Sequence, residues 1–275
     1  MEERPGGAAN VAMNVVSIGA QCTLIGVVGD DEAGESLKTL LNRTRINGQL
    51  AVDPAGKTVT KLRMVSQNQQ LIRADFDGHP SEDALVRYMK LFESALDDAD
   101  VVVLSDYGKG GLMHIEQMIA AANARSKPVL VDPKGTRFNR YAHATIITPN
   151  LAEFEAVAGK VGDDEDLKDK ALSLLRDLNV HGILVTRGRN GMVLVEKEEQ
   201  CFDFPASARE VYDVSGAGDT VIAAFGIGYA MTLPLEAAVR LANTAAGVVV
   251  GKLGTATVSL DEINAAGWAD KGSIS

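Results

Sequence analysis

The sequence predicts an α/β fold: a mostly parallel sheet with helices on both faces, plus a small β element set apart from it. Three observations carry this prediction. Short apolar runs recur along the 275 residues, each ending in a polar or glycine-containing turn. Several of these runs lead into helical spacing, and repeated βα units imply parallel strands. Residues 58–76 break the pattern, because they alternate in the manner of a hairpin.

In chain order, Gly6-Gly7 leads into Asn10–Ile18, whose apolar spacing is helical. Thr23–Val28 is a short strand, turned at Gly29-Asp30-Asp31-Glu32 into a helix through Leu41. Thr58–Val65 and Gln69–Phe76 are the two arms of the hairpin. Ala99–Leu104 is a buried strand that ends in Ser105-Asp106-Tyr107-Gly108-Lys109-Gly110. Ligands of open α/β sheets bind at the carboxyl ends of strands, so Asp106 and Lys109 are candidate site residues. A helix to Ala124 follows, then the strand Pro128–Val131, then Asp132-Pro133-Lys134. Lys134 either neutralises a phosphate or forms a simple surface pair with Asp132. Ala144–Thr148 is a strand ending in Pro149-Asn150-Leu151-Ala152-Glu153, where Asn150 and Glu153 stand one turn apart as a capping box would. Ile183–Thr186 is a further strand, with Val193–Val195 and Cys201–Phe204 antiparallel at the edge. Leu235–Lys252 is helical, and 264–275 is a polar tail or linker. The domain proper is 1–263.

The decisive stretch is Asp213-Val214-Ser215-Gly216-Ala217-Gly218-Asp219-Thr220, followed by an apolar run to Tyr229. Glycines permit a tight turn, and a helix beginning near Gly218 would aim unpaired N–H groups at an anion. A carboxylate in such a cradle repels phosphate unless it takes the proton of an attacking hydroxyl. The same string would also serve as an ordinary turn with Asp219 as N-cap.

Composition narrows the partners. The net charge of −10 argues against nucleic acid or an anionic membrane surface as partner. Cys22 and Cys201 form no CxxC pair, which points to a reducing, cytoplasmic compartment and to no zinc site. His79, His114, His143 and His181 are scattered without metal-ligand spacing. No run is long and apolar enough to span a membrane, and Met1-Glu2-Glu3-Arg4-Pro5 is not a signal peptide. Neither GxxxxGK[ST] nor GxGxxG occurs.

Asp213–Ala224 resembles the second signature of the ribokinase (PfkB) family of sugar kinases, and Gly6-Gly7-Ala8-Ala9-Asn10 resembles its first, in the expected order. The likeness covers essentially the whole chain. It is strongest to the bacterial heptose-7-phosphate kinases, the kinase half of bifunctional ADP-heptose synthases, through Ser105–Gly110 and Gln69-Gln70-Leu71-Ile72-Arg73. The resemblance implies a ribokinase-like fold whose hairpin is a lid over the sugar and pairs with a second subunit.

It also implies roles. Asp219 would be the base, and the N–H groups of Gly216, Ala217 and Gly218 would hold the transferring charge. Gly6, Gly7, Asn10, Arg63, Gln69, Arg73, Asp106 and Lys109 would contact the sugar phosphate. Asn150, Leu151, Ala152 and Glu153 would manage ATP and Mg²⁺ through water, with Thr186 and Gly188 at the ATP phosphates and Asn243 beside the adenine. Asp213 and Ser215, with 247–257, would enclose a monovalent cation such as K⁺.

Two departures stand out. Family members open with a strand whose Asp holds the sugar hydroxyls, and that strand is expected to be missing here, at a cost in sugar affinity. The HxGH-type nucleotidyltransferase motif of the bifunctional relatives is absent, so at most the kinase half is expected. Another sugar or a nucleoside as substrate, and an inactive truncated fragment, stay open as alternatives.

Overall fold

The computed structural model describes residues 3–66, 69–198, 200–207 and 211–268. The elements run α1 (Ala8–Ile18), β1 (Cys22–Gly29), α2 (Glu32–Asn42), β2 (Ile46–Asp53), β3 (Thr60–Ser66), β4 (Gln69–Phe76), α3 (Glu82–Ala95), β5 (Val102–Ser105) and α4 (Ile115–Ala124). They continue β6 (Val129–Asp132), β7 (Ile146–Ile147), α5 (Leu151–Ala158), α6 (Asp164–Leu178), β8 (Gly182–Thr186), β9 (Met192–Glu196), β10 (Cys201–Phe204), α7 (Ala217–Ala230), α8 (Leu235–Val249) and α9 (Leu260–Ala265).

The main sheet has the order β10-β9-β8-β7-β6-β5. Strands β5 to β8 are parallel, and β9 and β10 add antiparallel pairings at one edge. Apart from the edge strand β10, its strands are largely buried on both faces, which is why they read as unbroken apolar runs. The pleat divides those runs. Val129, Val131, Ile183, Val185, Val193 and Val195 enter the core under α3, α4 and α6, while Leu130, Ile146, Leu184 and Leu194 enter the core under α1, α7 and α8. Helix α7 is apolar all round because it is sandwiched; Val221 to Phe225 are each 3% exposed or less. It lies so close to α8 that a Cβ at Gly228 would come within 2.9 Å of the Ala238 Cα, so a side chain there would force the helices apart.

Two smaller sheets stand beside this one. Strands β1 and β2 pair parallel in register Cys22↔Ile46 to Gly29↔Asp53, and β3 and β4 form the expected hairpin. The sequence reading did not draw β2, α3 or α6. Helix α9 runs to Ala265 and Trp268 packs partly buried on the core, so the expected polar tail begins as folded chain; 269–275 lie outside the described residues.

Candidate active site

Two helix N-termini converge on one carboxylate. α1 starts after Gly7 at φ 58°, and α7 starts after Gly216 at φ 81°, both conformations that favour glycine. A polar spine runs between the two helices. Asn14, fully buried, donates to the Asn10 carbonyl at 3.0 Å, and the Thr220 hydroxyl donates to Asn14 Oδ1 at 3.3 Å. Asn10 Nδ2 then donates to Asp219 Oδ2 at 2.7 Å. From the loop after β5, the Tyr107 hydroxyl donates to Asp219 Oδ1 at 2.8 Å.

Asp219 is not the N-cap; Gly216 is, and the carboxylate is held from outside its own helix. Burial pushes its pKa above the ordinary carboxylate range, while the Asn10 and Tyr107 hydrogen bonds and the Lys61 charge act in the opposite direction. A carboxylate made more basic, yet kept ionised by two donors, is suited to accept a hydroxyl proton. The Tyr107 phenol is pushed far up by burial and by Asp219, so it stays a donor.

The cradle is narrower than the sequence implied. The Ala217 N–H is bonded to the Val214 carbonyl at 3.2 Å, which leaves Gly216 and Gly218 to face an anion. A Cβ on Gly218 would meet nothing within 4 Å, so the space before it is open. Asp213 braces this turn: it accepts from Ser215 N at 2.8 Å and from Gly254 N at 3.1 Å, and these amides keep it below the usual carboxylate range. The two loops expected to enclose a cation are thereby joined, with the Asp213 side chain spent on amides. Any cation would take carbonyl oxygens.

On the other flank, Asn150 bridges to Thr186 across neighbouring strand ends, and Thr186 N donates to the Pro149 carbonyl at 3.0 Å. Leu151 and Ala152 form the first turn of α5. The capping box is realised, with Glu153 N to Asn150 Oδ1 at 3.0 Å and Asn150 N to Glu153 Oε2 at 3.2 Å. Lys134 binds Glu153 Oε1 at 2.6 Å, so of the two readings open for it the surface pair with Asp132 is not formed. Asp132 is instead pushed up to about 8, by burial first and then by Asp219 and Glu153. No cluster of three metal-ligating side chains occurs among the described residues. The donor set nevertheless fits Mg²⁺, which asks for one or two carboxylates and completes its shell with water and phosphate oxygens. Gly188, at φ 56°, opens the turn that Arg187 pins to Asp164 and Asp203. The Asn243 amide holds the Pro205 carbonyl at 2.8 Å, so it secures a loop.

The sugar-side candidates divide. Both Asp106 oxygens are used internally, one by Gly108 N at 2.8 Å and the other by the Tyr141 hydroxyl at 2.8 Å and Arg140 at 3.4 Å. Asp106 therefore shapes the loop that presents Tyr107. Arg73 is held bidentately by Asp75 at 2.9 and 2.8 Å, and Lys109 pairs with Asp77. Arg63 makes no ion pair among the described residues. The Gln69 side chain lies outside the described residues, and Gly6 faces open space. Tyr107, Asn14, Lys61 and Asp132 were not singled out from sequence. Tyr107 sat inside a motif that was read for its charges, and its aromatic ring gave no signal that the hydroxyl reaches a residue 112 positions away.

The pfkB family carbohydrate kinase model matches residues 1–263. The chain belongs to this family. Its members are phosphotransferases acting on a sugar hydroxyl, and membership implies ATP and a divalent metal. Bifunctional protein HldE of Vibrio vulnificus (strain CMCP6) is 49% identical over 266 residues, covering 95% of this chain and 55% of that protein. HldE of Coxiella burnetii (strain Dugway 5J108-111) is 48% identical, covering 97% and 56%. The chain thus spans about half the length of these relatives. Phosphofructokinase-2 from Escherichia coli in complex with potassium superposes with a TM-score of 0.84 at 22% identity, covering 98% of this chain and 88% of that one. Ribokinase from Thermotoga maritima gives 0.80 at 23%, covering 96% and 87%. The fold is therefore ribokinase-like. Among the described residues, no helix is long and apolar enough to cross a membrane.

Proposed function

We propose that this chain is a Mg²⁺-ATP kinase that phosphorylates a heptose 7-phosphate at its anomeric hydroxyl. The product would be the 1,7-bisphosphate, a cytoplasmic precursor of ADP-heptose for the lipopolysaccharide core. The observation that carries the chemistry is Asp219, made basic by burial and aimed by Asn10 and Tyr107 beside an open glycine cradle. The heptose assignment is supported by the similarity to the HldE proteins along nearly the whole chain.

The steps follow from these groups. Asp219 accepts the proton of the attacking hydroxyl as its oxygen bonds to the γ-phosphorus, and the bond to the β-phosphate oxygen breaks to release ADP. The Gly216 and Gly218 amides and the positive end of α7 oppose the charge on the transferring group. Mg²⁺, when bound, neutralises phosphate charge, and Glu153 with its Asn150 partner would order its water shell. The potassium-bound phosphofructokinase-2 supports a K⁺ site between the Asp213–Ser215 turn and the 247–257 segment.

A homodimer through the hairpin belongs to the same proposal. The register puts Leu62, Met64, Ile72, Ala74 and Phe76 on one face, where Met64, Ile72 and Phe76 are 52%, 57% and 57% exposed. Such a bare apolar strand surface is stabilised by a partner. The test of function is ATP consumption across heptose 7-phosphates, fructose 6-phosphate, ribose and nucleosides, with phosphorus NMR of the product. An anomeric phosphate from a heptose 7-phosphate supports the proposal; turnover confined to another acceptor overturns it.

A further inference from the structure

The loops after β5 and β6 leave the sheet side by side. A backbone bond joins the two strand ends, from Asp106 N to the Asp132 carbonyl at 2.9 Å. From there one loop passes through Gly108, at φ 67°, and carries Tyr107 to Asp219, while the other carries Lys134 to Glu153. The loops stay in contact, since a Cβ on Gly108 would stand 3.8 Å from Lys134 Cγ.

A buried hydroxyl ties them together. Tyr141 ends the 3₁₀ turn Phe138–Tyr141 between β6 and β7, with its ring edge-on to Phe138 at 5.7 Å and its side chain fully buried. The hydroxyl donates to Asp106 Oδ2 at 2.8 Å and accepts from Lys134 N at 3.0 Å. The Lys134 carbonyl, at 3.1 Å, competes for the same proton, but a carboxylate is the stronger acceptor. Burial pushes the Tyr141 phenol far up, with Asp106 adding to it, so the hydroxyl stays a donor.

Asp106 passes the constraint on. Its other oxygen takes Gly108 N at 2.8 Å, which closes a tight turn around Tyr107. The Tyr107 hydroxyl then reaches Asp219 Oδ1 at 2.8 Å. Arg140 does not replace Tyr141 here: it stands 3.4 Å from Asp106 Oδ2 and spends a guanidinium nitrogen on the Leu112 carbonyl. A Phe at position 141 would fill the same space, so packing alone does not call for the hydroxyl.

We propose that Tyr141 is a positioning residue, whose buried hydroxyl clamps the Asp106 loop to the Lys134 loop and so holds Tyr107 on Asp219. This rests on the kinase reading above, in which Asp219 is the base.

The experiment compares Tyr141→Phe, Tyr107→Phe and the double variant with the parent chain, with melting curves to verify folding. The assay is kcat/KM for heptose 7-phosphate from pH 5 to 9. Tyr141→Phe should match the parent at pH 8 and be about three- to tenfold slower on the acid limb, the scale of coupling within one hydrogen-bond network. Asn10, Lys61 and Asp132 also act on Asp219 or are acted on by it. The double variant separates their part: it should be no slower than Tyr107→Phe alone. A second variant, Asp106→Asn, keeps one acceptor oxygen where two are used, and should slow the acid limb in the same direction. An acid limb of Tyr141→Phe that superimposes on the parent's, or an equal further loss in the Tyr107→Phe background, would overturn the proposal. A second readout needs no turnover. The Gly108 amide, which bonds to Asp106 and not to Tyr141, should exchange its hydrogen at least about tenfold faster in Tyr141→Phe. Unchanged exchange there would also overturn the clamp. If the parent phosphorylates no sugar, the functional reading fails, while exchange at Gly108 still decides the clamp.

Discussion

Replacing Tyr107 by Phe removes one hydroxyl from the site and leaves the ring that packs 3.4 Å from the Cβ position of Gly7. The lost contact is the 2.8 Å hydrogen bond to Asp219 Oδ1. A hydrogen bond to an ionised group contributes about 1.5–3 kcal/mol. The Tyr107 donor favours the ionised form, so its removal raises a pKa that burial has already raised. At about 1.4 kcal/mol per tenfold, the loss corresponds to about a 10–100-fold smaller ionised fraction on the acid side of the profile. The base form must be ionised to act, so activity on the acid side should be lost at higher pH than in the parent. At pH 8 the two proteins should differ little, and on the acid limb of the profile the variant should be at least tenfold slower. The assay is kcat/KM for the sugar from pH 5 to 9. Acid limbs that superimpose would refute the coupling between Tyr107 and the base.

Two further outcomes are expected. Asp132, pushed up to about 8, binds a proton in the folded state over a range where the unfolded chain has released it, so stability falls as pH rises from about 4 to about 8. Asp132→Asn should therefore melt progressively higher than the parent between pH 5 and 9, and a constant difference would count against this. The lid should join two copies: light scattering at micromolar concentration should show a dimer for the parent and a monomer for Met64→Glu with Ile72→Glu, whereas a monomeric parent contradicts the proposed interface.

The sheet was legible because its central strands are buried on both faces, so Val129–Asp132 and Gly182–Thr186 stand out as apolar runs with polar ends. Strand β2, Ile-Asn-Gly-Gln-Leu-Ala-Val-Asp, was not, since its half-exposed polar residues hide a pairing supplied wholly by β1. The glycine turn and Asp219 were legible because their residue types are tied to one backbone geometry. What decides the roles of charged residues is their partners, and partners are tertiary. Asp106 and Tyr107 are neighbours in sequence, yet one faces Tyr141 and the other Asp219. Arg63 and Arg73 face each other across the hairpin, yet only Arg73 meets an aspartate on its own strand. Spacing carried no information on either choice.

The central claim is that Asp219 removes the proton from the sugar hydroxyl, and Asp219→Asn tests it most directly. The substitution keeps the shape of the side chain and one acceptor oxygen for Asn10 or Tyr107. General-base loss should reduce kcat by about 10²–10⁴-fold. The affinity for ATP, measured by calorimetric titration, should remain within about twofold, because the Gly216 and Gly218 amides and the Asn150–Glu153 turn are untouched. A variant that keeps more than about a tenth of the parent kcat, with ATP affinity intact, would contradict the claim.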